Sequence, residues 1–171
     1  MRKGGSAVGL ILVTAGVLVL FLTHSSLDSI IRAGKAKGAA PVTVDIAVGS
    51  SETSWIDSLL ARLGDPRSRA DVNSLTDWIH RETTGWPPRD QGGVVVNNPM
   101  NTGQPEPGSR DYNPAGVQIY PNLSVGLKGT YDTLVNGHYG DILSRLKSGL
   151  GLTSGASSGL STWSNGGYTS V

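Results

Sequence analysis

Glu82 sits where a carboxylate is hardest to explain as ordinary surface. It follows Ile79 by three residues, Leu75 by seven and Val72 by ten, so the spacing places it on the apolar stripe of a helix. It also falls in the last turn of that helix, where the macrodipole opposes a negative charge. Burial and dipole both favour the neutral acid. A protonated carboxyl is what cleavage of a glycosidic bond needs, because the leaving oxygen must receive a proton. Trp78 and Trp86, four residues to either side, are placed to wall such an acid with apolar rings. The same spacing fits a frayed helix end, with Glu82 in solvent or paired with Arg81 or Arg89.

Four segments have the periodicity of helices that would position this residue. Trp55, Ile56, Leu59, Leu60 and Leu63 share one face, with Ser54 as a cap and Gly64-Asp65-Pro66 as a stop. Val72, Leu75, Trp78 and Ile79 form the second face, and Gly85, Pro87 and Pro88 forbid its continuation. A third helix starts at Asn122, turns Leu123, Leu127, Tyr131 and Leu134 inward, and stops at Asn136-Gly137. A fourth spans about 139–147 with Tyr139, Ile142, Leu143 and Leu146 inward, and Gly149 closes it. The serine- and glycine-rich stretch beyond it reads as loop.

Between the second and third helices lies a long stretch without helical pattern, in which only residues 94–96 and 116–120 resemble short strands. A loop of that length in a compact domain is usually functional or disordered. It carries Asn97, Asn98, Asn101, Thr102, Tyr112, Asn113 and Tyr120, a set suited to gripping a hydroxyl-rich ligand. Asparagine, glycine and proline are equally what turns require. Three aspartates, Asp90, Asp111 and Asp132, are candidates for a second carboxylate, and each also fits a surface or turn position.

Composition narrows the alternatives. The 171 residues include 24 glycines, 9 prolines and no cysteine, which excludes disulfides, thiolate metal sites and thiol nucleophiles. Residues 1–40 carry five basic side chains against Asp28 alone, whereas residues 41–171 carry nine basic and twelve acidic ones. The positive charge is therefore outside the folded part, and no nucleic-acid partner is expected. His24, His80 and His138 are far apart and lack a metal-binding spacing, so neither a metal nor another cofactor is expected. Asn122-Leu123-Ser124 has the form of a glycosylation sequon but opens a helix, where an asparagine cap is the simpler role.

The first residues have a separate logic. No charge occurs between Gly4 and Leu27, and as a helix this run would cover roughly 36 Å against a hydrocarbon core of about 30 Å. Arg2 and Lys3 would suit a cleaved signal peptide, but no small-residue cleavage site follows. Residues 4–27 are thus expected to be a retained transmembrane anchor. Residues 28–52 read as a tether, with a short strand at 42–48, and residues 53–171 as the folded domain.

The run Leu75-Thr76-Asp77-Trp78-Ile79-His80-Arg81-Glu82, followed by Asn97-Asn98-Pro99-Met100-Asn101-Thr102, resembles a lysozyme-like domain of actinobacterial phage structural and tail proteins. Further similarities follow in order: Tyr112-Asn113, Gly116-Val117 and Tyr120; Gly126-Leu127, Thr130 and Leu134; Asn136-Gly137-His138-Tyr139; and Ser161-Thr162-Trp163 with Gly166-Gly167-Tyr168. The likeness covers about residues 53–168, which draws the serine-rich tail into the domain. Residues 83–88 depart from the family's short acidic-glycine segment, and Ser164-Asn165 replaces its Gly-Thr pair.

The resemblance implies a lysozyme-like domain; with the periodicity and the uncharged run described above, the expected fold is mainly α with one long loop and a short β-hairpin region, preceded by the transmembrane helix. It implies a glycosidase or lytic transglycosylase acting on peptidoglycan, with Glu82 as the catalytic acid. Asn97, Asn101, Thr102, Tyr112 and Tyr120 are the expected substrate-positioning residues. The expected partners are peptidoglycan glycan strands, a lipid membrane through residues 4–27, and other virion proteins. The expected location is a virion with an internal membrane, or a bacterial envelope, with the domain facing the wall. A degenerate lysozyme-like fold with a structural or wall-binding role is the alternative.

Overall fold

In the computed structural model, which describes residues 13–14, 17–18, 48–153 and 155–171, the chain divides into two units, Met1–Asp45 and Ile46–Val171. In the first, β1 (Val13–Thr14) pairs antiparallel with β2 (Val17–Leu18), Val13 opposite Leu18. The rest of the expected anchor at 4–27, the tether up to residue 47 and all but Val48 of the expected strand at 42–48 lie outside the described residues. No helix among the described residues is long and apolar enough to cross a membrane.

The second unit is mainly helical. Helix α1 (Glu52–Leu63) is capped by Ser51, whose hydroxyl accepts the Ser54 N–H at 3.2 Å. The expected cap, Ser54, is therefore the donor, because the helix begins one turn earlier. Gly64 ends it in the left-handed region at φ 71°, a conformation that glycine adopts without a Cβ penalty. Helix α2 (Arg69–Glu82) opens with a reciprocal capping box: Ser68 accepts the Asp71 N–H and Asp71 accepts the Ser68 N–H. Asn122 caps α3 (Leu123–Leu134) by accepting the Val125 N–H at 2.9 Å, which gives the sequon asparagine a structural use. Helix α4 spans Gly140–Lys147.

The serine-rich tail is not loop throughout, because it contains α5 (Ser157–Trp163). Its position is imposed by contacts rather than by propensity: Asp141 accepts the Gly159 N–H at 2.9 Å, and Ala156 and Leu160 are wholly buried. Gly159 has room for no side chain, since a Cβ there would overlap Asp141 and Ile142.

α1 lies at the centre and packs on α2, α3 and α4, while α5 packs on α4. Trp55, Ile56, Leu59 and Leu60 of α1, Leu75, Trp78 and Ile79 of α2, and Leu127, Leu134, Ile142 and Leu146 supply most of the core. The long loop carries little regular structure. β3 (Arg110–Asp111) pairs antiparallel with β4 (Gln118–Ile119), and the expected strand at 94–96 contributes one bridge, Arg89 to Val95.

Two devices hold this loop to α3. Lys128 lies 2.7 Å from the buried carboxylate of Glu106 and 2.5 Å from Asp132, and both hold its ammonium above the ordinary lysine range, Asp132 more strongly. Gly126 and Gly129 make the second. An added Cβ at Gly126 would overlap the Asn97 carbonyl, and one at Gly129 the Tyr120 hydroxyl. Gly126→Ala should therefore lower the unfolding free energy by about 1–3 kcal/mol through overpacking, against the gain of about 1 kcal/mol that alanine normally gives a helix. Denaturant titration of both proteins checks this.

Asp65, in the α1–α2 turn, provides a second stability test. Burial, with the nearby Asp71 carboxylate adding to it, pushes its pKa from 3.8 up to about 6, and its Oδ2 is buried without a hydrogen-bond partner. The folded state then binds this proton more tightly than the unfolded chain, so the stabilisation is complete below 3.8 and is lost as pH rises through about 6. Asp65→Asn, whose amide oxygen still accepts the Arg67 N–H, should remove that fall, as read from unfolding midpoints across this range.

Candidate active site

Glu82 is the last residue of α2, and its side chain opens into a cleft of about 290 Å³. It is half-buried rather than fully buried, because the helix stops there and the stripe runs out into solvent. The helix ends as Thr83 adopts an extended conformation, its N–H and hydroxyl both donating to the Ile79 carbonyl at 2.9 and 3.2 Å.

Two side chains from distant segments hold the carboxylate. Tyr168 donates its hydroxyl to Glu82 Oε1, and the same hydroxyl accepts the Trp78 indole N–H at 2.6 Å. Asn101 donates its amide to the Glu82 carbonyl at 2.5 Å and reaches Oε2 at 3.4 Å. Burial, reinforced by the bond to Glu82 and its charge, holds the Tyr168 phenol well above the ordinary tyrosine range, so Tyr168 keeps its proton and remains a donor. The Arg81 guanidinium lies over the Tyr168 ring, 5.6 Å from its centre.

The tail brings Tyr168 here by a chain of polar contacts. The Gly151 N–H donates to Asp71 Oδ1 at 2.9 Å and the Leu152 N–H to Ser74 Oγ at 2.8 Å, fixing the segment before α5 against α2. After α5, Ser164 Oγ donates to the Leu160 carbonyl and accepts the Tyr168 N–H at 2.9 Å. Ser164, one of the departures from the resembled family, is thus the stitch of this turn. Trp163 packs edge-on against Trp78 at 4.8 Å between ring centres and against Tyr139 at 5.3 Å.

The five expected substrate-positioning residues separate into two groups. Asn101 and Tyr112 line the cleft, and Tyr112 presents an exposed ring. Asn97, Thr102 and Tyr120 belong to the scaffold of the loop instead. Asn97 donates to the Tyr120 carbonyl at 2.9 Å. Tyr120 is buried; its hydroxyl donates to the Gln104 carbonyl at 2.6 Å and so accepts from Thr102 at 2.8 Å. The wholly buried Asn98 gathers the strands, donating to the carbonyls of Thr102 and Gln118 at 2.9 and 2.7 Å while accepting the Thr102 N–H at 3.0 Å. Polar groups on an irregular segment had to be satisfied from within it once it was buried, and these side chains do so.

The expected wall residues also part. Trp78 is buried directly behind Tyr168, but Trp86 turns away, packing on Trp55 and donating to the Ser50 carbonyl at 2.6 Å. Of the three aspartates, only Asp90 lines the cleft, and its Oδ1 accepts the N–H groups of Gly92 and Val94 at 2.9 and 2.7 Å. Asp111 accepts from Gln118, and Asp132 pairs with Lys128. His80 is exposed at the cleft, 3.1 Å from Glu52. Among the described residues no group of three or more His, Asp or Glu side chains is placed to hold a metal ion.

Tyr168→Phe isolates the contribution of one hydroxyl. It leaves the buried Trp78 N–H without its acceptor and Glu82 Oε1 without its donor, and should cost about 1–3 kcal/mol of stability with little change in far-UV circular dichroism. Denaturant midpoints of the two proteins test this. Comparisons of the chain with protein-family models, with curated proteins and with solved structures returned no match.

Proposed function

We propose that the domain cleaves the glycan strands of peptidoglycan, with Glu82 as the acid that protonates the departing glycosidic oxygen. The observation that carries this reading is a cleft-facing carboxylate at a helix end, held by two neutral donors, Tyr168 and Asn101, rather than by a cation. The two donors fix the direction in which the carboxyl faces the cleft. With Oε1 held by Tyr168, Oε2, which Asn101 reaches only at 3.4 Å, is the oxygen that meets the substrate. The resemblance of residues 75–82 and 97–102 to a lysozyme-like phage domain supports the same chemistry.

In this mechanism the proton leaves Glu82 as the C–O bond to the departing sugar breaks. The electron-poor anomeric carbon is then captured by the substrate's own acetamido oxygen, as in single-acid glycosidases. Water or the sugar's 6-hydroxyl completes the reaction, giving hydrolysis or transglycosylation. Tyr112 offers an exposed ring on which a sugar face can pack. With residues 4–27 as a membrane anchor, the protein would act from a virion with an internal membrane, or from a bacterial envelope, opening the wall locally during phage genome delivery.

One observation favours a non-catalytic wall-binding protein: among the described residues the only other carboxylate lining the cleft, Asp90, is bound to backbone N–H groups. Mass analysis of fragments released from purified peptidoglycan separates the two readings. The wild type should release muropeptides, and Glu82→Gln should reduce release by at least about 100-fold. Anhydro ends would mark a transglycosylase and reducing ends a hydrolase. A folded wild type that sediments with the wall and releases nothing would leave only the binding role.

A further inference from the structure

Two guanidinium groups line the Glu82 cleft, and among the described residues neither has a carboxylate partner. Arg81 comes from the last turn of α2 and lies over the Tyr168 ring. Arg89 comes from the segment bridged to Val95 and gives one nitrogen to the Gly93 carbonyl at 2.7 Å. Both side chains are exposed. Of the other arginines of the unit, Arg67 grips Asp57 through two nitrogens at 2.6 and 2.9 Å and Arg145 is bonded to the carbonyls of Leu150 and Gly151, while Arg62, Arg69 and Arg110 lie away from the cleft.

The charge balance makes this pair informative. Residues 41–171 carry more acidic than basic side chains, so unpaired cations in the cleft do not follow from a generally basic surface. The acids beside them already have donors, Glu82 from Tyr168 and Asn101, and Asp90 from Gly92 and Val94. His80 is engaged by Glu52. Among the described residues, the charged donors left over in the cleft are therefore the arginine forks, which match carboxylates in shape and stay charged at all working pH values.

We propose that Arg81 and Arg89 bind carboxylate groups carried by the glycan, so that the cleft selects an acidic strand over a neutral N-acetylglucosamine polymer. This rests on the cleft being a glycan site. The carboxylates are those of attached peptides or, on sugars without a peptide, of the lactyl ether; both present the same planar anion to a guanidinium. The two arginines set specificity by binding and take no part in bond cleavage.

The test uses the full chain in detergent with Glu82→Gln, which removes turnover and leaves the guanidinium groups in place. Dissociation constants are measured for soluble peptidoglycan strands, for the same strands with their carboxyls converted to amides, and for chitohexaose. Native strands should bind at least about tenfold more tightly than either neutral ligand. Adding Arg81→Gln and Arg89→Gln should abolish that preference while leaving chitohexaose affinity and circular dichroism unchanged. Stripping the peptides frees the lactyl carboxylates, so stripped strands should bind more tightly than native ones if the lactyl group is the source and less tightly if the peptide is.

Equal affinity for native and amidated strands, a preference that survives the double substitution, or no binding of any strand would overturn the proposal. Charge-selective binding without any fragments from the wild type would uphold it while removing the cleavage reading. Fragments released equally from native and amidated strands would do the reverse.

Discussion

A single buried carboxylate, Asp71, links the start of α2 to the far end of the chain. One of its oxygens completes the capping box with Ser68, and the other accepts the Gly151 N–H. An ionisable group with no exposed surface is tolerated only when its lone pairs are occupied, and here backbone and hydroxyl donors occupy them. Because both partners are fixed to the same side chain, the segment leading to α5 acquires one register on α2. The position of Tyr168 at Glu82 depends on that register. The capping residue is thereby also a determinant of the site, two helical functions separated by the length of α2.

The loop between α2 and α3 solves a different problem with similar means. It is long, nearly without regular structure, and yet contributes buried residues such as Met100, Asn98 and Tyr120. Its stability comes from side chains substituting for a sheet's ladder. Asn98 serves two carbonyls and an N–H, and Gln118 joins Ser109, Asp111 and the Gly116 carbonyl. Lys128 and the bare glycine face of α3 hold this assembly from outside. A loop organised in this way can present Asn101 at φ 49° to the helix end with little freedom to move.

Most of the helical frame was legible in the residues, because α1 to α4 carry strong apolar periodicity and clear stops such as Gly64 and Gly137. Glu82 was legible for the same reason: its place in the period and its place at the helix end could both be counted. Three things could not be counted. Residues 157–163 are serine, glycine and threonine with one leucine and one tryptophan, too few apolar positions to show a period, and their helix is set by Asp141 and the α4 surface. Asn97, Thr102 and Tyr120 have the same composition whether they face a ligand or satisfy a buried backbone, and only the tertiary contacts distinguish these roles. Tyr168 lies 86 residues from Glu82 and no local rule connects them. The resemblance that ran to Gly166-Gly167-Tyr168 was the one sign that the tail belonged with the rest.

That 86-residue separation has a consequence for the order in which the molecule assembles. Contacts between distant segments carry the largest loop-closure cost and form after local ones. Helices α1 and α2 are neighbours in the chain, so their contacts close short loops and place Glu82 at the end of α2 without any contribution from the tail. The Tyr168 hydroxyl that completes it arrives only when the tail docks. The same asymmetry runs backwards in the native state: opening of the tail alone strips the carboxylate of Tyr168 while much of the α1-centred core persists. Helical content and an intact site are therefore separate properties of this chain.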